Sequence, residues 1–248
     1  PHALLPPIRP LPPQLMCGRY SLSSTAQLVR ETFALADEVE LSPRWNIAPT
    51  QESPVVRQAG EGRRLDLLRW GLVPEKAVTP AGHINARGET APTLAAFRDS
   101  FRGKRCLVPA DGFYEWLRVT GRPQPYHIRF RDRRLFAIAG LWSHWQRRGH
   151  ATIDGFTILT CEPAAVVRPL HDRMPVILPA SAWEEWLRAD AEASALQELL
   201  VPWAGDELEA VAVSSFVNRA DHEGPECVQP VTPEEATGGG QMSLFGPA

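Results

Sequence analysis

Apolar and polar positions alternate in short runs over much of this chain, and a period of two predicts strands more often than helices. Residues 54–58 and 65–73 are two such runs, joined by a turn at Gly60-Glu61-Gly62. Further strands are predicted over 105–108, 112–117, 126–130, 135–142, 155–160, 174–178 and 208–214. Helical spacing is confined to three stretches. Residues 25–36, with Ser23-Ser24 as cap, offer Leu28, Phe33 and Leu35 to a core. Residues 93–102 set Phe97 and Phe101 on one face at i and i+4. Residues 181–200 form an amphipathic pattern with Ser181 as its cap. Residues 45–50 read as a loop, because the residue before Pro49 avoids the helical region. Residues 74–87 carry proline and glycine punctuation without a period, which predicts a long loop of the kind that often carries function. Residues 166–172 read as a turn or short helix. Many strands with few interleaved helices predict an α+β fold around a curved antiparallel sheet, not βαβ units.

Composition adds bounds to this picture. The 248 residues are 44% hydrophobic and 22% charged, ordinary for a soluble globular chain with one large core. A net charge of −3 gives no global field toward nucleic acid or membrane, so any anion site must be a local patch. Of the 26 basic residues only Lys76 and Lys104 are lysines; arginine suits bidentate phosphate contacts. Cys17, Cys106, Cys161 and Cys227 show no C-x-x-C spacing, which argues against zinc, and no metal or cofactor is expected. No apolar run approaches 18 residues, so no membrane partner is expected.

Four short stretches carry candidate chemistry. In Met16-Cys17-Gly18-Arg19-Tyr20 the methionine reads as an internal start. If Met16 is removed, Cys17 presents an α-amine and a thiol on adjacent carbons, a pair that captures an aldehyde first as an imine and then as a thiazolidine. The competing reading makes Cys17 a small buried hydrophobe. The second stretch is Asn85-Ala86-Arg87-Gly88-Glu89, at the end of the long loop. In the third, Glu115 sits among Phe113, Tyr114 and Trp116; burial there would raise its pKa toward acid/base use, whereas outward alternation would leave it solvated. In the fourth, His171 offers a group titrating near neutrality and Arg173 a fork for phosphate or carboxylate; a capped turn with a surface salt bridge explains the same residues.

Together with Trp45 to Thr50, Arg69-Trp70-Gly71-Leu72-Val73-Pro74, Arg105 to Trp116 and Phe136 to Trp142, these stretches occur in the order seen in the SRAP domain. The chain from about Met16 to Pro230 resembles these SOS response-associated peptidases, or abasic site processing proteins. The resemblance implies a single α+β domain with an open, barrel-like sheet and a basic groove. It implies a protein that senses abasic sites on single-stranded DNA, cross-links to them covalently through the N-terminal cysteine as a thiazolidine, and processes its own N-terminus, with lyase activity as an extension. It casts Cys17 as nucleophile, Asn85 as a positioning group, Glu115 as acid/base and His171 as a second polar catalyst. It casts Arg19, Arg87 and Arg173 as phosphate ligands and Trp70 as a base-stacking platform. The competing class is a thiol peptidase acting on other proteins, which tolerates an internal Cys17.

The domain is expected over 16–231, between a proline-rich leader (1–15) read as a misassigned start and a flexible tail (232–248). Attached to Cys17, that leader forbids thiazolidine chemistry. In the tail Gln241, Leu244 and Phe245 resemble a peptide that docks on the bacterial replication sliding clamp; a random terminus is the other reading. A monomer acting in the bacterial cytoplasm, on the nucleoid, is expected.

Overall fold

Residues 52–59 and 62–70 form the hairpin that the alternation predicts, paired without a break from Glu52 opposite Arg69 to Ala59 opposite Gly62. Gly60, at φ +59°, opens the two-residue turn in a region that glycine adopts without a Cβ clash. The computed structural model describes residues 18–117 and 123–232. Within them the strands are β1 (Tyr20–Leu22), β2 (Arg44–Ile47), β3 (Glu52–Ala59), β4 (Gly62–Trp70), β5 (Asn85–Arg87), β6 (Arg105–Ala110), β7 (Gly112–Leu117), β8 (Gln124–Phe130), β9 (Phe136–Trp145), β10 (Ile153–Cys161), β11 (Met174–Pro175), β12 (Ile177–Leu178) and β13 (Leu208–Ala212). The helices are α1 (Ala26–Phe33), α2 (Arg98–Gly103), α3 (Trp183–Leu187) and α4 (Ala193–Glu198).

The fold is α+β and mostly antiparallel, as expected, but its strands form two sheets rather than one. In the larger, β3 pairs with β4 and β6, β6 with β9, β9 with β10, and β10 runs parallel to β4. These five strands therefore close into a ring. The hydrophobic core packed on its two faces includes Trp70, Ile138 and Phe156 on one and Leu107 and Leu141 on the other, all fully buried. Each buried side chain of this size contributes about 1.5–3 kcal/mol by leaving water. The smaller sheet runs β13-β8-β7-β1-β2. Tyr20 of β1 docks it on the ring: its hydroxyl donates to Ser53 Oγ at 2.5 Å, and its ring meets Trp70 edge-on at 5.2 Å.

Several elements differ from the sequence expectation, each for a physical reason. The first helix is shorter and is capped by Thr25, whose Oγ1 accepts from Leu28 N–H. Ser23 and Ser24 instead donate to Asp111. Leu28 is exposed and Val29 takes its place in the core. Residues 45–47, the first part of the loop expected over 45–50, belong to the edge strand β2, because Glu223 accepts from the backbone N–H groups of Trp45 and Asn46. The helix at 93–102 begins only at Arg98, after a series of turns. The strand at 174–178 divides: β11 pairs with β10 and β12 with β9. The long helix at 181–200 is two short helices. The buried Arg105 guanidinium draws off the carbonyls of Trp186 and Arg188, which ends α3 at Leu187.

Candidate functional site

The C-terminal end of β10 organises one half of the site. β5 lies parallel to it, with Ile158, Leu159 and Thr160 opposite Asn85, Ala86 and Arg87. β11 lies antiparallel to it, with Thr160 opposite Pro175. The Thr160 carbonyl accepts from Gly88 N–H at 2.8 Å and from Arg173 Nη2 at 2.7 Å, so one oxygen ties the segment after β5 to the segment before β11. A Cβ at Gly88 would sit tightly, 3.1 Å from Leu200 Cβ and 3.3 Å from that same carbonyl. Arg173 also grips Glu89 with both arms, Nη1 to Oε1 at 2.7 Å and Nη2 to Oε2 at 2.8 Å. The Arg173 hydrogen bonds hold the Glu89 carboxyl below its ordinary range and raise the guanidinium in turn.

His171 is buried at the end of the turn before β11. Its Nδ1 lies 3.0 Å from Arg173 N–H and 3.0 Å from Asp172 Oδ1. The backbone N–H can only donate, so Nδ1 accepts and the neutral ring carries its proton on Nε2. A proton on Nδ1 would serve Asp172, whose side chain is 85% exposed and already solvated, while setting two N–H groups face to face.

The other half lies on the small sheet. Glu115 on β7 is 3% exposed, which selects the buried reading of that carboxylate. β1 runs antiparallel to β7 with Tyr20 opposite Phe113, and Tyr114 N–H donates to the Arg19 carbonyl. Gly18, also buried, lies two residues before Tyr20 of that pair. Arg19 is held by Asn46, its Nη1 donating to Asn46 Oδ1 at 2.8 Å and to the Val217 carbonyl at 2.9 Å. Asn46 in turn donates to the carbonyls of Arg219 and His222. Trp116 is half-buried, its indole N–H on Asn218 Oδ1 at 2.7 Å and its ring 5.9 Å from the Arg19 guanidinium.

The structure thus gathers Asn85, Arg87, His171 and Arg173 around β10, and sets Arg19 just before β1 and Glu115 on β7. Tyr20, Trp70 and Ile84 connect the two groups. Trp70 is the correction: it is fully buried, stacked on Phe156 at 6.2 Å, and its indole N–H donates to the Ile84 carbonyl, so it presents no face to a base. Arg19 and Arg173 are committed to internal partners. Arg87 is exposed, and its charge reaches Glu89. Sequence reasoning passed over Glu89, Asn46 and Trp116. For Trp116 a signal existed, since alternation along β7 puts it on the opposite face from Glu115. Among the described residues no cluster of His, Cys, Asp or Glu could hold a metal ion. Cys17, the leader, and the tail residues Gln241, Leu244 and Phe245 lie outside the described residues.

A family model described as SOS response associated peptidase (SRAP) matches residues 16–220. The chain is 38% identical over 222 residues to the abasic site processing protein YoqW of Bacillus subtilis (strain 168), covering 86% of this chain and 99% of that protein. It is 39% identical over 211 residues to the abasic site processing protein YoaM of the same organism, with 82% and 93% covered. Among solved structures, a protein from Bacteroides thetaiotaomicron superposes with a TM-score of 0.77 at 22% identity, covering 87% of this chain and all of that one, a likeness that shows the shared fold.

Proposed function

The chain belongs to the SRAP family, and on that premise we propose that it processes abasic sites in single-stranded DNA by cross-linking to them through Cys17. The observation that carries this reading is the burial of Glu115 on β7, the strand that pairs with β1 just after Cys17 in the chain. Cys17 is one peptide bond from Gly18, and successive Cα atoms are about 3.8 Å apart. The reading pairs the Cys17 nucleophile with this carboxyl group.

An abasic deoxyribose is mostly a closed hemiacetal. Glu115 takes the proton from the C1′ hydroxyl and returns one to the ring oxygen, which frees the aldehyde. The Cys17 α-amine, neutral in a sizeable fraction near pH 7, attacks C1′ and expels water as the imine forms. The thiol sulfur then adds to the same carbon, its proton passes to the nitrogen, and the five-membered thiazolidine closes. Oxidation levels do not change, so no redox partner is required. Asn85 and His171 flank the opened sugar. Arg87 meets the phosphate backbone, and half-buried Trp116, with Arg19 beside its ring, offers the stacking face that Trp70 lacks.

The chemistry requires a free α-amine on Cys17, so hydrolysis of the Met16–Cys17 bond must precede it, and Glu115 or His171 can serve as the base for that step. The tail motif at Gln241, Leu244 and Phe245 would bring the domain to replicating DNA by docking on the sliding clamp; absence of binding between a peptide of residues 238–248 and the clamp removes that part of the reading. The test of the whole is adduct formation on an oligonucleotide carrying one abasic site. Adducts must form with the wild-type protein and disappear with Cys17→Ala.

A further inference from the structure

We infer that Glu89 is a positioning residue that acts through Arg173 to hold His171 with its proton on Nε2. This rests on the proposed abasic-site chemistry for its kinetic consequence, not for its structural content. The chain of contacts is short. The Glu89 carboxylate takes both arms of the Arg173 guanidinium, at 2.7 and 2.8 Å. The Thr160 carbonyl takes the same Nη2 and also the N–H of Gly88, the residue before Glu89. The side chain of Arg173 is thus held by Glu89 and Thr160 together and is only 12% exposed. Fixing the side chain fixes the backbone that carries it, and the Arg173 N–H at 3.0 Å keeps His171 Nδ1 as an acceptor.

Glu89 is the odd charge in this half of the site. A surface that receives a phosphate backbone gains nothing in affinity from a carboxylate between Arg87 and Arg173. The carboxylate is nevertheless placed where it neutralises Arg173 and aligns it. Charge is given up and geometry gained: Glu89 lowers affinity for any single strand and raises the rate of reaction at the lesion. The tautomer matters because a ring with its proton on Nδ1 would present an acceptor, not a donor, at Nε2, and hydrogen-bond roles at a reacting oxygen or nitrogen cannot be exchanged.

The test uses Glu89→Gln, nearly equal in shape, and Glu89→Asp, which keeps the charge and shortens the reach by one methylene. Three quantities are compared with the wild type: the single-turnover rate of adduct formation at saturating abasic oligonucleotide, the Kd for an undamaged single strand at several salt concentrations, and the imidazole 15N spectrum, with the His171 signals assigned by His171→Asn. The inference expects Glu89→Gln to slow adduct formation about tenfold or more, while undamaged single strands bind as tightly or tighter. The salt dependence should steepen by about 0.7 in log–log slope as Arg173 becomes available to one more phosphate. Glu89→Asp should lose rate without gaining affinity. His171 should show the Nε2–H pattern in the wild type and a mixed pattern in Glu89→Gln. Unchanged rate and an unchanged tautomer in Glu89→Gln overturn the inference, as does a parallel loss of rate and affinity. If the wild type itself forms no adduct, the abasic-site reading fails, and the 15N spectra still decide whether Glu89 sets the tautomer.

Discussion

The indole N–H of Trp70 donates to the carbonyl of Ile84 at 2.8 Å, one residue ahead of Asn85. The same carbonyl accepts Ile158 N–H at 3.1 Å, so the start of β5 is pinned from β4 and from β10 at once. Trp70 is therefore a buried post that ties β4 to the start of β5. Trp70→Phe keeps a ring against Tyr20 and Phe156 but loses this hydrogen bond and part of the volume, a cost of about 1–3 kcal/mol. Urea unfolding should show that loss, and the folded variant should bind undamaged single strands like the wild type. Weakened binding at unchanged stability would return Trp70 to the role of a stacking platform.

Trp116 and Arg87 should behave the other way. Trp116→Ala is expected to weaken single-strand binding by about 1–3 kcal/mol across base sequences. Arg87→Ala should flatten the salt dependence by about 0.7 in log–log slope, one phosphate contact on a single strand. Fluorescence anisotropy over a salt series measures both. Arg87→Ala, at an exposed position, should leave the unfolding midpoint unchanged, unlike Trp70→Phe.

Thiol reactivity separates Cys17 from the other cysteines. Burial pushes the Cys161 thiol up to about 12 and Cys227 up to about 11, and raises Cys106 as well. At pH 8 these three should resist iodoacetamide in the native protein, because the thiolate is the reacting form. Peptide mapping should find alkylation at Cys17 first. Rapid labelling of Cys161 or Cys227 before Cys17 would contradict the account.

His127 supplies a pH dependence of stability. It is buried, with Nε2 2.9 Å from Ser21 Oγ, and Ser21 donates onward to Asp111. Burial, then the charges of Arg129 and Arg133, push its pKa down to about 3. The unfolded chain, with an ordinary value near 6.5, takes up this proton first as pH falls. The stabilisation is complete above about 6.5 and is lost progressively toward about 3, at roughly 1.4 kcal/mol per pH unit in between. Urea unfolding at pH 7 and pH 5 should differ by about 2 kcal/mol. His127→Gln, whatever its own stability, should remove most of that slope. An equal slope in the variant would assign the effect to other groups.

Local pattern made the hairpin of β3 and β4 legible, because alternation and the Gly60 turn are both written within twenty residues. The strand β7 was read with its observed limits for the same reason. The long helix at 181–200 was misread because what ends it is Arg105, 81 residues away from Trp186. Residues 45–47 of the edge strand β2 were misread because Glu223 completes its hydrogen bonding from the far end of the chain. The site followed the same rule. Its motifs were visible one at a time, but the pairing of Glu89 with Arg173 spans 84 residues and has no local signature. Trp70 shows the opposite error: an aromatic residue in a motif suggested a surface, whereas its burial is set by β10 packing beside β4.

The measurement that bears most directly on the central claim is the intact mass of the reaction product. A protein whose first residue is Cys17, and its Cys17→Ser counterpart, are each mixed with a single-stranded oligonucleotide bearing one abasic site, heated in denaturant and weighed. The account predicts a heat-stable adduct equal to protein plus oligonucleotide less one water, mapped to Cys17, from the first protein alone. A heat-stable adduct of the same mass from Cys17→Ser, or none from either protein, would contradict it.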